Sequence, residues 1–241
     1  MLRTHSYLYP VCDKQLPENF FSLEEANIHI DILSSSVAEI TDDLDLLARG
    51  DGASLEGADG TDARMSNYFC SFDRPTINLD QQPSLVMRLY NARSDIRKWL
   101  TAFTNIPVTD ENAMEHRLTR IFGFYTWLSV ETCQNEDPTT LKHFEEQVCY
   151  IMGVMEEFVD AYRDGNSLSS SSKHVYQPQV LTGITMGTGL VACVCLIIAK
   201  FQHPHIRQRC LRLLRTIGPC GPFYSDDLVR YMQAVVDSSL G

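Results

Sequence analysis

The stretch Val180 to Ala199, VLTGITMGTGLVACVCLIIA, decides the fold: twenty residues without a charge, running into Lys200 and then a ladder of arginines. Two readings compete for it. At about 1.5 Å per residue it can cross a bilayer core of about 30 Å, and Gly183 and Gly187 have the small-xxx-small spacing that packs membrane helices. Alternatively, it is the central helix of an all-helical domain, covered on every side. Thr182, Thr185, Thr188 and three glycines dilute its first half, so that the strongly apolar run starts only at Leu190. That length suits a core helix better than a span, and the glycines then mark places where a neighbouring backbone comes close.

The residues after the stretch support burial. His203 and Pro204 start a helix with Ile206, Cys210, Leu213, Leu214 and Ile217 on one face, while Arg207, Arg209, Arg212 and Arg215 are expected to project from the others. Asp226 and Asp227, after Ser225, start a last helix with Leu228, Tyr231, Met232, Val235 and Val236 inward. Upstream, Ser22 and Glu25 form a capping box ahead of Ala26, Ile30, Leu33, Val37, Ile40, Leu44 and Leu47 at steps of three and four. A second stripe runs through Leu85, Leu89, Ala92, Ile96, Trp99 and Phe103, opposite a wet face with Arg88, Arg93, Asp95, Arg97 and Lys98. Thr109 or Asp110 opens a third helix with Leu118, Ile121, Phe122, Tyr125 and Leu128 inward. Pro138 opens a fourth through Leu141, Phe144, Val148, Ile151, Met155, Phe158 and Tyr162.

The expected fold is all-α: one domain over residues 1–241 of about seven antiparallel-packed helices around the buried apolar one. Loops interrupt it at about 50–83 and 164–177. Gly50 to Asp62 is glycine-rich and acidic, without the ligand order of a calcium loop, and Asp164 to Lys173 is serine-rich, with a phosphorylation switch as the sharper reading. No repeat of fixed period appears.

Composition narrows the function. In 241 residues, 44% hydrophobic, mean hydropathy −0.15 describes an ordinary globular chain. A net charge of −11 argues against a surface that grips nucleic acid. Eight scattered cysteines, with no signal-like run after Met1, point to reduced thiols in nucleus or cytoplasm. No phosphate loop, nucleophile elbow or His-Glu-x-x-His is present, and no metal or cofactor is called for.

Val175 to Leu240 carries a resemblance. Gly183-Ile184 before the apolar helix, CLIIAKFQHPHIRQRCLRLLR from Cys195 to Arg215 and the turn Gly221-Pro222-Phe223-Tyr224-Ser225 make this segment similar to the end of the fungal-specific regulatory domain of binuclear zinc cluster transcription factors. FFSLEEANIHIDIL from Phe20 and IRKWLTAF from Ile96 resemble earlier helices of that domain. The family's reader needs six closely spaced cysteines holding two zinc ions, and this sequence has none. Cys193 and Cys195 point about 200° apart on a helix, and the closing turn has Cys220-Gly-Pro-Phe-Tyr where the family more often has an acidic residue and a tryptophan. The chain is either a piece of a larger regulator or a stand-alone copy of its helical domain.

The resemblance implies a ligand-responsive domain regulating fungal metabolism, which binds a small apolar metabolite, a protein partner or a second copy of itself, without touching DNA. The candidate ligand-binding residues are Trp99, Phe103, Tyr125, Trp127 and Arg207, although core packing is the simpler reading of Trp99 and Phe103, which lie on the inward stripe. Trp127 lies off the Tyr125/Leu128 line and is expected to face a partner or a cavity, and Arg207, with Arg209 and Arg212, suits an acidic partner or carboxylated ligand. A second reading is an enzyme of a secondary-metabolite pathway, recruited from the same domain, with candidates His143, Glu146, Asp226 and Tyr125. His143 and Glu146 share a helical face, as an acid and base pair needs, although an exposed salt link explains them more simply. His203 and His205 suit a cap and a solvent histidine better than a metal. A membrane-anchored protein is the third.

Overall fold

The computed structural model describes residues 16–49, 79, 82–133, 141–168, 184–217 and 226–238. Among them are seven α-helices and no strand: α1 (Leu23–Arg49), α2 (Pro83–Phe103), α3 (Ala113–Thr132), α4 (Glu145–Leu168), α5 (Ile184–Lys200), α6 (Pro204–Ile217) and α7 (Asp226–Ser238). The all-α expectation holds. A 3-10 turn, Lys142–Phe144, leads into α4. Pro138, the acidic loop from Gly50, Gly183 and the Gly221–Ser225 turn lie outside the described residues.

Local chemistry sets the ends. The Ser22 hydroxyl accepts the Glu25 N–H at 3.1 Å, and the Glu25 carboxylate accepts the Phe21 N–H at 2.8 Å, so the capping box closes much as the SLEE pattern predicts. The third helix starts later than Thr109. Thr109 and Asn112 bond each other's backbone across a turn, N–H to Oδ1 at 2.8 Å and N–H to Oγ1 at 3.3 Å, and the helix begins only at Ala113. The fourth runs on to Leu168, past the serine-rich start expected to break it.

α1, α2 and α3 pack mutually. The Trp99 indole N–H near the end of α2 donates to the Ala26 carbonyl near the start of α1 at 3.0 Å, and Phe103 stacks on His116 near the start of α3. α2 is therefore antiparallel to both. On the far side α3 packs on α4 and α5, α5 on α6 and α7, and α6 on α4 and α7. The twenty-residue stretch contributes α5, buried at every position from Leu190 to Ile198. At 17 residues α5 is about 25 Å long, and no helix among the described residues is long and apolar enough to cross a membrane.

The helix with contacts on both sides of the fold is α3. It buries Leu118, Ile121, Gly123, Phe124, Trp127, Leu128 and Val130 around its circumference, and its Thr126 and Thr132 hydroxyls donate to the carbonyls four residues back, satisfying polar groups that water cannot reach. Gly123 lets α2 approach: a Cβ there would lie 2.8 Å from Trp99 Cη2 and nearer still to Cζ3. A satellite cluster of Val37, Ile40, Leu44, Leu85, Leu89, Ala92 and Val130 joins the outer halves of α1 and α2. Leu47, expected inward, is 39% exposed.

Candidate functional site

The expected ligand residues divide between two ring clusters. Trp99 and Phe103 stack at 4.8 Å, with Phe20 against Trp99 and His116 against Phe103, and both are fully covered. Trp127 meets Phe124 at 5.2 Å and Phe144 edge-on at 5.0 Å. Its indole is buried, which corrects the expectation that it faces a partner or cavity: with α3 enclosed all round, a residue off the main stripe is still inside. Tyr125 is half-buried beside Phe122.

The arginine ladder also changes meaning. Arg207, expected on an outer face, is 5% exposed, and its Nε donates to the Phe201 carbonyl at 2.6 Å. It ties the corner where α5 ends, a place that favours a cation, and burial lowers its pKa below the ordinary range. Arg209 makes a two-pronged pair with Glu156, Nε to Oε1 at 2.7 Å and Nη2 to Oε2 at 2.6 Å, pinning α6 on α4. Its hydrogen bond to Glu156 raises its pKa. Arg215 donates to Gln233 of α7 at 2.8 Å. Arg212 is exposed.

Of the enzyme candidates, His143 and Glu146 are exposed at the start of α4, and Asp226 is exposed in the first turn of α7. No salt link between His143 and Glu146 is formed. Among the described residues no group of three His, Cys, Asp or Glu side chains is arranged to hold a metal ion.

Among the described residues, a concavity with convergent polar groups lies elsewhere, along the outer face of α2. It is an open groove of about 810 Å³, walled by Tyr90, Arg93, Ser94, Arg97, Lys98 and Thr101, with Leu16, Pro17 and Glu18 as the opposite lip and Glu131 of α3 also lining it. The α2 residues recur at three and four, hence along one helical stripe. Glu131 is only 5% exposed. Arg97 Nη2 donates to its Oε1 at 2.6 Å, and Arg93 Nε stands 3.7 Å from Oε2, too far for a hydrogen bond, so that this buried Nε has no acceptor. Lys98 pairs with Asp95 at 3.1 Å.

The sequence held one signal for this site. A lone carboxylate inside LSVETC, in a helix that from Ile121 onward is otherwise apolar or hydroxylated, has to be paired when buried, and the wet face of the preceding helix offers Arg88, Arg93, Arg97 and Lys98. A second buried polar group, His116, carried no such signal. It stacks on Phe103 at 4.5 Å, and its Nε2 has no partner. Burial first, then Arg120 and Arg117, lower its pKa, against a raising hydrogen bond to the Ile106 backbone.

Comparison of the chain with protein-family models, curated proteins and solved structures finds no match.

Proposed function

We propose that this chain is a ligand-binding regulatory module, a helical domain of the kind that accompanies zinc cluster transcription factors, and that its receptor site is the groove on α2. The observation that carries this reading is the groove itself. Several hydrogen-bonding side chains from one helical stripe converge on about 810 Å³ of open space, beside a carboxylate already buried and bonded. Because Trp99 and Phe103 are filled in on all sides, the ligand rests against the surface of α2 and is polar on at least one side. The sequence has no six-cysteine cluster, so the role assigned to it is ligand binding and not DNA reading. A nuclear or cytoplasmic setting goes with this role.

An enzyme recruited from the domain gains little from His143, Glu146, Asp226 and Tyr125. They sit on three α-helices and the 3-10 turn before α4, and no two of them are hydrogen-bonded as a nucleophile and its base must be.

Filling the groove tests the proposal. A metabolite library is screened by thermal shift against the wild type and Ser94→Trp, whose half-buried position on the groove wall directs a large side chain into the open space. A ligand at about 100 times its Kd stabilises by about 2.7 kcal/mol, which raises Tm by roughly 5–10 °C in a chain of this size. The shift is expected in the wild type and not in Ser94→Trp. Undiminished shifts in the filled variant would refute the groove as the receptor.

A further inference from the structure

Resting on that reading, we infer that the groove selects a carboxylate-bearing ligand with an aromatic or other flat apolar body, its acid group lying between Arg93, Arg97 and Lys98. The wall donates: two guanidiniums, an ammonium and the hydroxyl of Ser94 all present N–H or O–H groups, so the ligand has to supply acceptors. Glu131 does not fill that role. It is bonded to one nitrogen of Arg97, whose side chain stays 64% exposed, so the remaining N–H groups of that guanidinium are open to a ligand oxygen.

Glu131 instead acts on the site through the arginines. Held at the base of the groove beside both side chains, it fixes the Arg97 guanidinium in place, and a positioned, planar guanidinium matches a carboxylate with two parallel bonds. Charge points the same way. The chain carries −11 overall, yet at the groove Arg93, Arg97 and Lys98 balance Glu18, Glu131 and the Asp95 paired with Lys98, so an anion meets far less repulsion there than over the rest of the surface. For the ligand's body, Tyr90 offers a ring 69% exposed at the wall, and Leu16 and Pro17 supply the apolar lip facing it.

Matched acids and amides isolate the charge. Benzoate, 2-naphthoate and biphenyl-4-carboxylate are each titrated against their own primary amides, with binding read from backbone amide shifts along Tyr90–Thr101. The acids are expected to bind about ten-fold or more tighter than the amides, as a charge-assisted pair implies, and to weaken with added salt. Lys98→Gln, at an exposed position where folding is not at stake, should lower acid affinity roughly three-fold, and Arg97→Gln about ten-fold. Arg212→Gln on α6 should change nothing. Acids and amides binding alike in the groove would overturn the carboxylate inference while leaving the groove as receptor; neither series moving the α2 amides would overturn both.

Discussion

Adding one methyl group at Gly123 should destabilise the protein, although at an ordinary position in mid-helix it would do the reverse. Replacing glycine by alanine within a helix gains about 1 kcal/mol. At Gly123 the new Cβ would stand 2.8 Å from Trp99 Cη2 and closer to Cζ3, where contact needs about 3.5 Å. The indole cannot retreat. Trp99 is completely buried, its N–H is fixed to the Ala26 carbonyl at 3.0 Å, and Phe103 is stacked on it at 4.8 Å. Relief therefore requires α2 and α3 to separate by about an ångström along a close-packed seam, an overpacking cost of about 3 kcal/mol or more. After the propensity gain, Gly123→Ala should cost about 2 kcal/mol, or roughly 4–8 °C in Tm. Gly153 of α4 is the internal control: a Cβ there meets only Arg209 Nη2, at 3.8 Å, so Gly153→Ala should gain up to about 1 kcal/mol. Urea unfolding followed by circular dichroism measures both. A Gly123→Ala protein at least as stable as the wild type would refute the close packing of α2 on α3.

Three further outcomes are expected. Trp99→Phe keeps the stack on Phe103 but removes the indole bond that ties α2 to the Ala26 carbonyl, and should cost about 1–2 kcal/mol in the same urea assay. The lowered pKa of His116 means the unfolded chain takes up its proton first as pH falls. The corresponding stability is complete above about pH 6.5 and is lost from there down through the lower folded value. His116→Gln should flatten the stability slope in that window, and an unchanged slope would remove His116 as its source. Burial pushes the Cys195 thiol up to about 12 and those of Cys193 and Cys210 well above their ordinary value, so in native protein a maleimide should modify these three far more slowly than the half-buried Cys149, as peptide mapping after brief labelling would reveal.

Most of the helices could be read from the sequence because each buries one stripe, and a stripe leaves a period. α6 is the clearest case: Pro204 starts it and its five expected apolar positions are all buried. α3 was legible as a helix but not as the one with partners on both sides. Being covered all round, it shows no narrow stripe, and threonines that bond their own backbone resemble surface residues in a sequence. The period also gives only the direction of a Cβ. It cannot tell that the long Arg207 side chain turns back to the Phe201 carbonyl, or that Trp127, off the main line, meets Phe144 from the turn that leads into α4. The groove was half legible. Arg93, Arg97 and Lys98 stand out as cations on one face, but the lip at Leu16 and the carboxylate of Glu131 come from positions far along the chain, brought there by the antiparallel packing of α2.

The position of α3 between the α1–α2 pair and the later helices has a practical consequence for dividing the molecule. A cut between Cys133 and Leu141 yields a first piece that keeps α3 against α1 and α2, and a second whose α4 and α5 have lost the wall they rest on. The second piece alone should be sticky and poorly folded, whereas the two expressed together should reassemble, making this point the natural site for a fragment-complementation reporter whose signal depends on α3 finding its missing neighbours.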